Sequence, residues 1–361
     1  MVREGQIVYN PYVIWEGAVH ALSKLKAGVV SPVYPVWETR EPDGGFVDFL
    51  LRTPPLIEAY NRLCSGAVNR RRSIREDAFA GIEVQVPPIS ERREIATALH
   101  TVQQAREFTK RVISATREFK NSLLRHLFTY GPVPVDQADK VTLKATEIGM
   151  MPAEWDIRPL GDSAAIGNGS TPKRTEPRYW EKGTIPWLTS AKVHEGIIHE
   201  ADEFVTGAAC KECHLPLVPK GSLVVAITGQ GRTLGNVASL AIDACVSQHL
   251  AYVSFHGARL LPGFVLAYLR SCYDQLQAVS RAGGSTKGAL TCGFLKRFVV
   301  PCPSLPEQHQ IVAQVSSVES KLLAEEKRLA ALNNLFHSLL HHLMTGKVRV
   351  PSALASVSDK A

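Results

Sequence analysis

The sequence lacks any run of about 18 apolar residues, the length a helix needs to cross a bilayer. Nor is Met1-Val2-Arg3-Glu4-Gly5 followed by the roughly 7–15-residue apolar stretch of a secretory signal. A cytoplasmic protein with no membrane segment is expected. A disulfide framework is missing too: the seven cysteines are odd in number and scattered, which suits free thiols in a reducing compartment. Gly229-x-Gly231-x-x-x-Gly235 follows the apolar Leu223–Ile227, but it has one residue too many for a dinucleotide fingerprint and no lysine for a phosphate-binding loop. Cys210-x-x-Cys213-His214 spells a haem-attachment pattern without an export signal. A zinc site there would need two further ligands, and His194 and His199 are near only in sequence. No cofactor and no metal are expected, and His341-His342 reads as a surface pair.

What is present is ordinary in amount and unusual in arrangement. The 45% apolar residues, 7% aromatics, 26 glycines and 22 prolines are globular values, so the chain folds, and 361 residues suffice for two domains. A net charge of +7 attracts polyanions, nucleic acid among them. Arg70-Arg71-Arg72 and Arg75 crowd one loop-like stretch.

The chain repeats itself. At an offset of 216 residues, Val84–Thr129 matches Val300–Thr345, with Pro87 on Pro303, Glu91 on Glu307, Ile95 on Ile311 and Ser122-Leu123-Leu124 on Ser338-Leu339-Leu340. The same offset places Gly5 and Val8 on Gly221 and Val224, and Val30-Ser31 on Val246-Ser247. Each unit therefore reads as a mixed α and β segment followed by a long helix.

In the second helix Ile311, Val315, Val318, Leu322, Leu329, Leu332, Phe336, Leu339 and Leu343 follow steps of four and three, interrupted at Glu325, which is a coiled-coil seam. The first keeps Ile95, Leu99, Val102, Leu123 and Leu127 in phase but drifts in its middle, where Ala105, Phe108, Val112, Ala115 and Phe119 form a neighbouring stripe. Glu91 and Glu307 place carboxylates in the positively polarised first turns, and Gly131 and Gly346 can end the helices. Such helices need an apolar partner, and each is the other's.

Val86-Pro87-Pro88-Ile89-Ser90-Glu91 and Pro301-Cys302-Pro303-Ser304-Leu305-Pro306-Glu307-Gln308 resemble the entry to the spacer helices of specificity subunits of type I restriction-modification systems, and Leu339–Val348 resembles the end of that family's last helix. Trp155, Leu160-Gly161-Asp162, Gly167–Pro172, Ile185–Leu188, Lys220–Val224 and Gly283–Leu290 resemble its target recognition domain.

The resemblance implies an α+β fold with two target recognition domains separated by two long antiparallel coiled-coil helices. The corresponding domains are 1–90 and 151–305, the helices 91–130 and 306–345, with a linker at 131–150 and a tail at 346–361. It further implies a non-catalytic subunit that reads a bipartite site in double-stranded DNA and docks two copies of a methyltransferase subunit and the restriction subunits, with no cofactor of its own. Nothing ahead of Met1 matches residues of roughly 150–216, so the first domain is expected to be incomplete. The alternatives are a non-functional relic of such a subunit, or a self-contained DNA methyltransferase or nuclease. Against the latter, Asn10-Pro11-Tyr12 lacks the second proline of an Asn-Pro-Pro-Tyr site, and no glycine-rich S-adenosylmethionine loop or acidic cluster accompanies it.

DNA contact needs cationic and hydrogen-bonding groups on loops. The candidates are Arg70, Arg71 and Arg72; Ser170, Thr171, Lys173 and Arg174; Thr189, Ser190 and Lys192; Thr228, Gln230 and Arg232; and Arg281, Ser285, Thr286 and Lys287. The helix residues expected to carry assembly are Ile95, Leu99, Val102, Leu123, Leu127, Ile311, Val315, Val318, Leu332, Phe336, Leu339 and Leu343.

Overall fold

The computed structural model describes residues 1–22, 25–40, 43, 45–66, 72–229, 232–282 and 290–350, the side chains of 280–282 excepted. Its contacts divide into two compact units, Met1–Ser114 together with the chain from Leu323 onward, and Ala115–Leu322. Both mix helix and sheet, and two helices of 42 and 40 residues, Ile89–Tyr130 and Leu305–Met344, run through them.

In the first unit the strand Ile7–Tyr9 is flanked by Val19–Ala21 and Val36–Trp37, both antiparallel to it. Ile7 and Tyr9, two residues apart on a pleated strand, are buried together. The helices Phe46–Leu50 and Pro54–Leu63 close over them with Phe46, Phe49, Leu56 and Tyr60, giving this unit an enclosed core.

The second unit is built on a five-stranded sheet in the order Ile197–Ile198, Val237–Leu240, Leu223–Ala226, Leu250–Phe255, Ala164–Asn168. Leu223–Ala226 is buried throughout because both faces are covered. Leu223 and Val225 join the core shared with the helix Pro262–Ser271, whereas Val224 and Ala226 join Leu188, Val193 and Val246 on the other face. A smaller sheet of Glu203–Val205, Ile185–Leu188 and Cys245–Val246 lies alongside.

The internal duplication appears in the hydrogen bonding as well as in the residues. Ile7 and Val8 pair with Trp37 and Val36, and 216 residues later Leu223 and Val224 pair with Val253 and Tyr252. Ile74 N–H donates to Pro11 O, as Leu290 N–H does to Ile227 O. Arg92 Nε donates to Pro87 O, and Gln308 Nε2 to Pro303 O. The long helices start at the corresponding residues Ile89 and Leu305.

Within each unit the helix pair is antiparallel. In the first, Ile95 and Leu99 share a core with Leu339 and Leu343, while Arg106 donates to Asn333 Oδ1 at 2.7 Å and lies 4.6 Å over the Phe336 ring. In the second, Leu127 and Leu124 share a core with Ile311 and Val315, and Lys120 pairs with Glu319 at 2.5 Å. Gly131 and Gly346 end the helices with φ of 81° and 66°, which a side chain disfavours. At the second helix start, Glu307 Oε2 accepts from Ser304 N and Oγ, and Oε1 accepts from Trp155 Nε1 at 2.9 Å. Glu91 instead takes a two-pronged ion pair from Arg349, at 2.7 and 2.6 Å.

Two details depart from the sequence reading. The stretch 131–150 is more than a connection, since Leu143–Thr146 forms a hairpin with Gly149–Pro152. On the first helix the neighbouring stripe is not uniformly inward: Phe108 and Phe119 are 60% and 58% exposed, while Thr109 and Ile113 are buried. Among the described residues no helix is long and apolar enough to cross a membrane.

Candidate nucleic-acid interface

Strand direction brings several loops to one end of the five-stranded sheet. Ala164–Asn168 leaves it at Asn168, opposite Ala251, and the strand carrying Ala251 enters there from His249. Leu250 in turn faces Ala226, the last residue before the loop containing Thr228 and Arg232. Ser247 N–H donates to Leu188 O at 2.9 Å, which brings Thr189 and Ser190 to the same end, and the Leu290 N–H bond to Ile227 O brings Leu290 there. Of the sequence candidates, Ser170, Thr171, Lys173, Arg174, Thr189, Ser190, Thr228 and Arg232 are therefore gathered. Arg70, Arg71, Gln230, Ser285, Thr286 and Lys287 lie outside the described residues, as does the side chain of Arg281.

The loop after Asn168 is firmly seated. A Cβ at Gly169 would overlap the Val246 carbonyl, so only glycine lets the backbone approach here. Ser170 Oγ donates to Cys213 O at 2.6 Å, Trp187 Nε1 to Ser170 O at 3.1 Å, and Trp180 Nε1 to Lys173 O at 3.1 Å. Lys173 is exposed. Arg174 stacks 4.1 Å from the Trp180 ring and 4.9 Å from Trp187, and its hydrogen-bonded ion pair with Glu203 holds it further toward the charged form.

The neighbouring hairpin loop is tied at both ends. Thr228 Oγ1 lies 2.5 Å from His249 Nδ1, His194 Nε2 lies 3.1 Å from Thr233 Oγ1, and Tyr273 Oη donates to Arg232 O at 2.9 Å. The Arg232 side chain is exposed. Lys192 is a different case. Its ammonium is enclosed against Glu195 at 2.7 Å and Asp202 at 3.0 Å, and those hydrogen-bonded carboxylates raise its pKa. Its charge is compensated within the unit by these two carboxylates.

Sequence reasoning did not bring His194, His249, Trp180 or Trp187 to these loops, because their partners are distant in sequence. Cys210 faces Cys245, Sγ to Sγ 3.7 Å, and not Cys213; burial first, then the Cys210 thiol beside it, push the Cys245 pKa up to about 12. Among the described residues no group of His, Cys, Asp and Glu is placed to hold a metal.

The family model of the type I restriction modification DNA specificity domain matches residues 152–334, half of the chain. The chain belongs to this family. The MjaIX specificity subunit of Methanocaldococcus jannaschii is 31% identical over 194 residues, 51% of this chain and 42% of that protein. The putative MjaX specificity subunit of the same organism is 22% identical over 84% of this chain and 67% of its own length. The EcoBI specificity subunit of Escherichia coli is 24% identical over 82% of this chain and 64% of its own. The matches thus span 42–67% of these relatives' lengths. A crystal structure of a type I restriction-modification S subunit from M. genitalium has the same fold, with a TM-score of 0.64 at 17% identity, covering 95% of this chain and 83% of that one. A chain from a type I R-M system, solved to describe complex assembly and conformational transition, aligns with a TM-score of 0.58 at 16% identity, covering 95% and 82%.

Inside this specificity-domain fold the seam residues are largely enclosed. Ile95, Leu99, Leu127, Ile311, Val315 and Leu343 are buried, and Val102, Leu123, Val318, Leu332, Phe336 and Leu339 are half-buried. The buried six lie in their own unit's core, where they hold the helices against the sheet layers. In the first unit Arg72 donates to Asn61 O and Cys64 O and lies 5.3 Å over Trp15. Asn10 Nδ2 donates to Tyr34 Oη and Oδ1 accepts from Tyr12 N, the bonding of a turn.

Proposed function

We propose that this chain is the non-catalytic, DNA-reading subunit of a cytoplasmic type I restriction-modification complex. It directs two methyltransferase subunits and the restriction subunits to a bipartite double-stranded target. The observation that carries this reading is the convergence, within the domain matching the family model, of hydroxyl-bearing and cationic loops at one end of a single sheet. Exposed Lys173 and Arg232 supply charge for phosphates, and Thr171, Thr189, Ser190 and Thr228 supply the donors and acceptors that base edges and backbone require. Gln230, Arg281, Ser285, Thr286 and Lys287 are further DNA-contact candidates by residue type in this reading, and Arg70, Arg71 and Arg72 are those of the first unit, at the sequence position the repeat assigns to 286–288.

Subunit docking falls to the outer faces of the helices. Phe108 and Phe119 are exposed and about three turns apart, hence on one stripe of their helix. In this reading these two aromatic side chains are anchors for a docked subunit.

DNA binding is tested by fluorescence anisotropy of the full chain on a random-sequence duplex across a salt series. Each phosphate contact removed lowers the slope of log K against log salt by about one. Lys173→Ala with Arg232→Ala is expected to weaken binding to every sequence and flatten that slope by about two. An unchanged slope removes these two side chains from the interface.

A further inference from the structure

The loop Gly169–Arg174 is held by side chains that lie outside it. Trp180 sits on a turn closed by Gly183 N–H donating to Trp180 O. Gly183 is pressed against the strand Glu203–Val205, where a Cβ would come within 2.6 Å of Phe204 O. That strand also carries Glu203, the ion-pair partner of Arg174. Trp187 is buried on the strand that leads directly to Thr189 and Ser190, and its ring meets Trp180 edge-on at 5.3 Å. The Trp180 N–H is committed to Lys173 O, and the Arg174 guanidinium has both indoles against it and a carboxylate on its edge. Two candidate DNA-reading loops, 170–174 and 189–190, are thereby braced by one group of side chains.

We propose that Trp180 and Arg174 are positioning residues for DNA reading. By bonding Lys173 O and stacking under the loop they fix where Thr171 and Lys173 meet the duplex, while Arg174 remains on Glu203 and does not itself touch DNA. This rests on the DNA-reading assignment made above. Discrimination between bases needs side chains held to within about 0.5 Å, and a braced loop also surrenders less freedom on binding. The brace therefore governs the gap between right and wrong sequences, whereas exposed lysine and arginine govern the attraction common to all of them.

The test uses the full chain and a duplex library with a randomised centre, sequencing the bound fraction, followed by anisotropy on the selected duplex and on a scrambled one. Trp180→Phe keeps an aromatic ring in place of the indole and deletes the donor. It is expected to blur one half of the wild-type motif and weaken binding to the selected duplex about three- to tenfold, the scale of a single neutral hydrogen bond. Affinity for the scrambled duplex and its salt slope stay unchanged. Arg174→Gln is expected to blur the same half of the motif with an unchanged slope, because a guanidinium held on Glu203 displaces no counterion from a phosphate; a phosphate-contacting Arg174 would lower the slope by about one.

The proposal is overturned if both variants select the wild-type motif undiminished, or if Arg174→Gln flattens the salt slope. A parallel fall in affinity for selected and scrambled duplexes, together with a lowered melting temperature, also overturns it by reducing the brace to a folding element. Should Trp180→Phe fail to fold, Arg174→Gln, at a side chain 51% exposed, decides alone. If the wild-type chain itself selects no motif, the DNA-reading assignment fails first and the brace with it.

Discussion

Gly169 shows how much a single residue can decide. It permits the strand Ala164–Asn168 to turn away beside the Val246 carbonyl, and a methyl group there would have to displace backbone. Gly169→Ala is expected to destabilise the second unit by about 1–3 kcal/mol, the range for overpacking, and to lower loop-dependent DNA binding with it; calorimetry of the full chain reads the first effect. In the first unit Asp48 is the corresponding singular residue. Burial alone would raise its pKa, but the His20 hydrogen bond at 2.9 Å, the Arg52 guanidinium and the Ala21 N–H outweigh it and hold the carboxyl below its ordinary 3.8. A depressed carboxylate stabilises the fold above its unfolded pKa and loses that contribution as pH falls through the folded value. Asp48→Asn is therefore expected to cost about 1–3 kcal/mol at neutral pH. Its difference from wild type should shrink as the pH drops below 3.8, as measured by urea denaturation at a series of pH values.

At the scale of elements, periodicity was the informative signal. Steps of four and three locate Leu305–Met344, and the repeat then identifies Ile89–Tyr130 even where its own pattern drifts. That drift has a physical cause. Phe108 and Phe119 are apolar yet exposed, while Thr109 is buried and donates Oγ1 to Ala105 O at 2.8 Å within its own helix, so hydrophobicity misreports which side faces inward. Short strands such as Val36–Trp37 and Cys245–Val246 carry too few residues for alternation to show. The convergence of loops was likewise hidden, because it depends on the antiparallel pairing of Leu223–Ala226, Leu250–Phe255 and Ala164–Asn168. The candidate residues could be selected by type, whereas the internal engagement of Lys192 with Asp202, and of Arg174 with Glu203, required the fold. The exposed stripe yields its own prediction. Phe108→Ser with Phe119→Ser should leave the melting temperature within a few degrees of wild type yet remove the methyltransferase subunit from material co-purified through a tag on this chain. Retention of that subunit would move the docking surface elsewhere.

Over the whole molecule, an internal duplication produces two units that share a strand pairing in the same register, and the second contains the greater part of the matched specificity domain. If each unit reads DNA as proposed, duplication is a simple way to address a target in two parts, since each copy can vary its loops over the strands and helices beneath them. In the proposed reading the positive balance of +7 adds attraction for any duplex, and the loop end of the sheet supplies the geometry that discriminates. The most direct test of this account is photocrosslinking of the full chain to a duplex carrying 5-bromodeoxyuridine, with the modified peptides mapped by mass spectrometry. Crosslinks are expected within residues 169–174, 189–190, 228–233 and 283–290. Crosslinks confined to the opposite end of the sheet, where Lys220 N–H bonds Asp243, would contradict it.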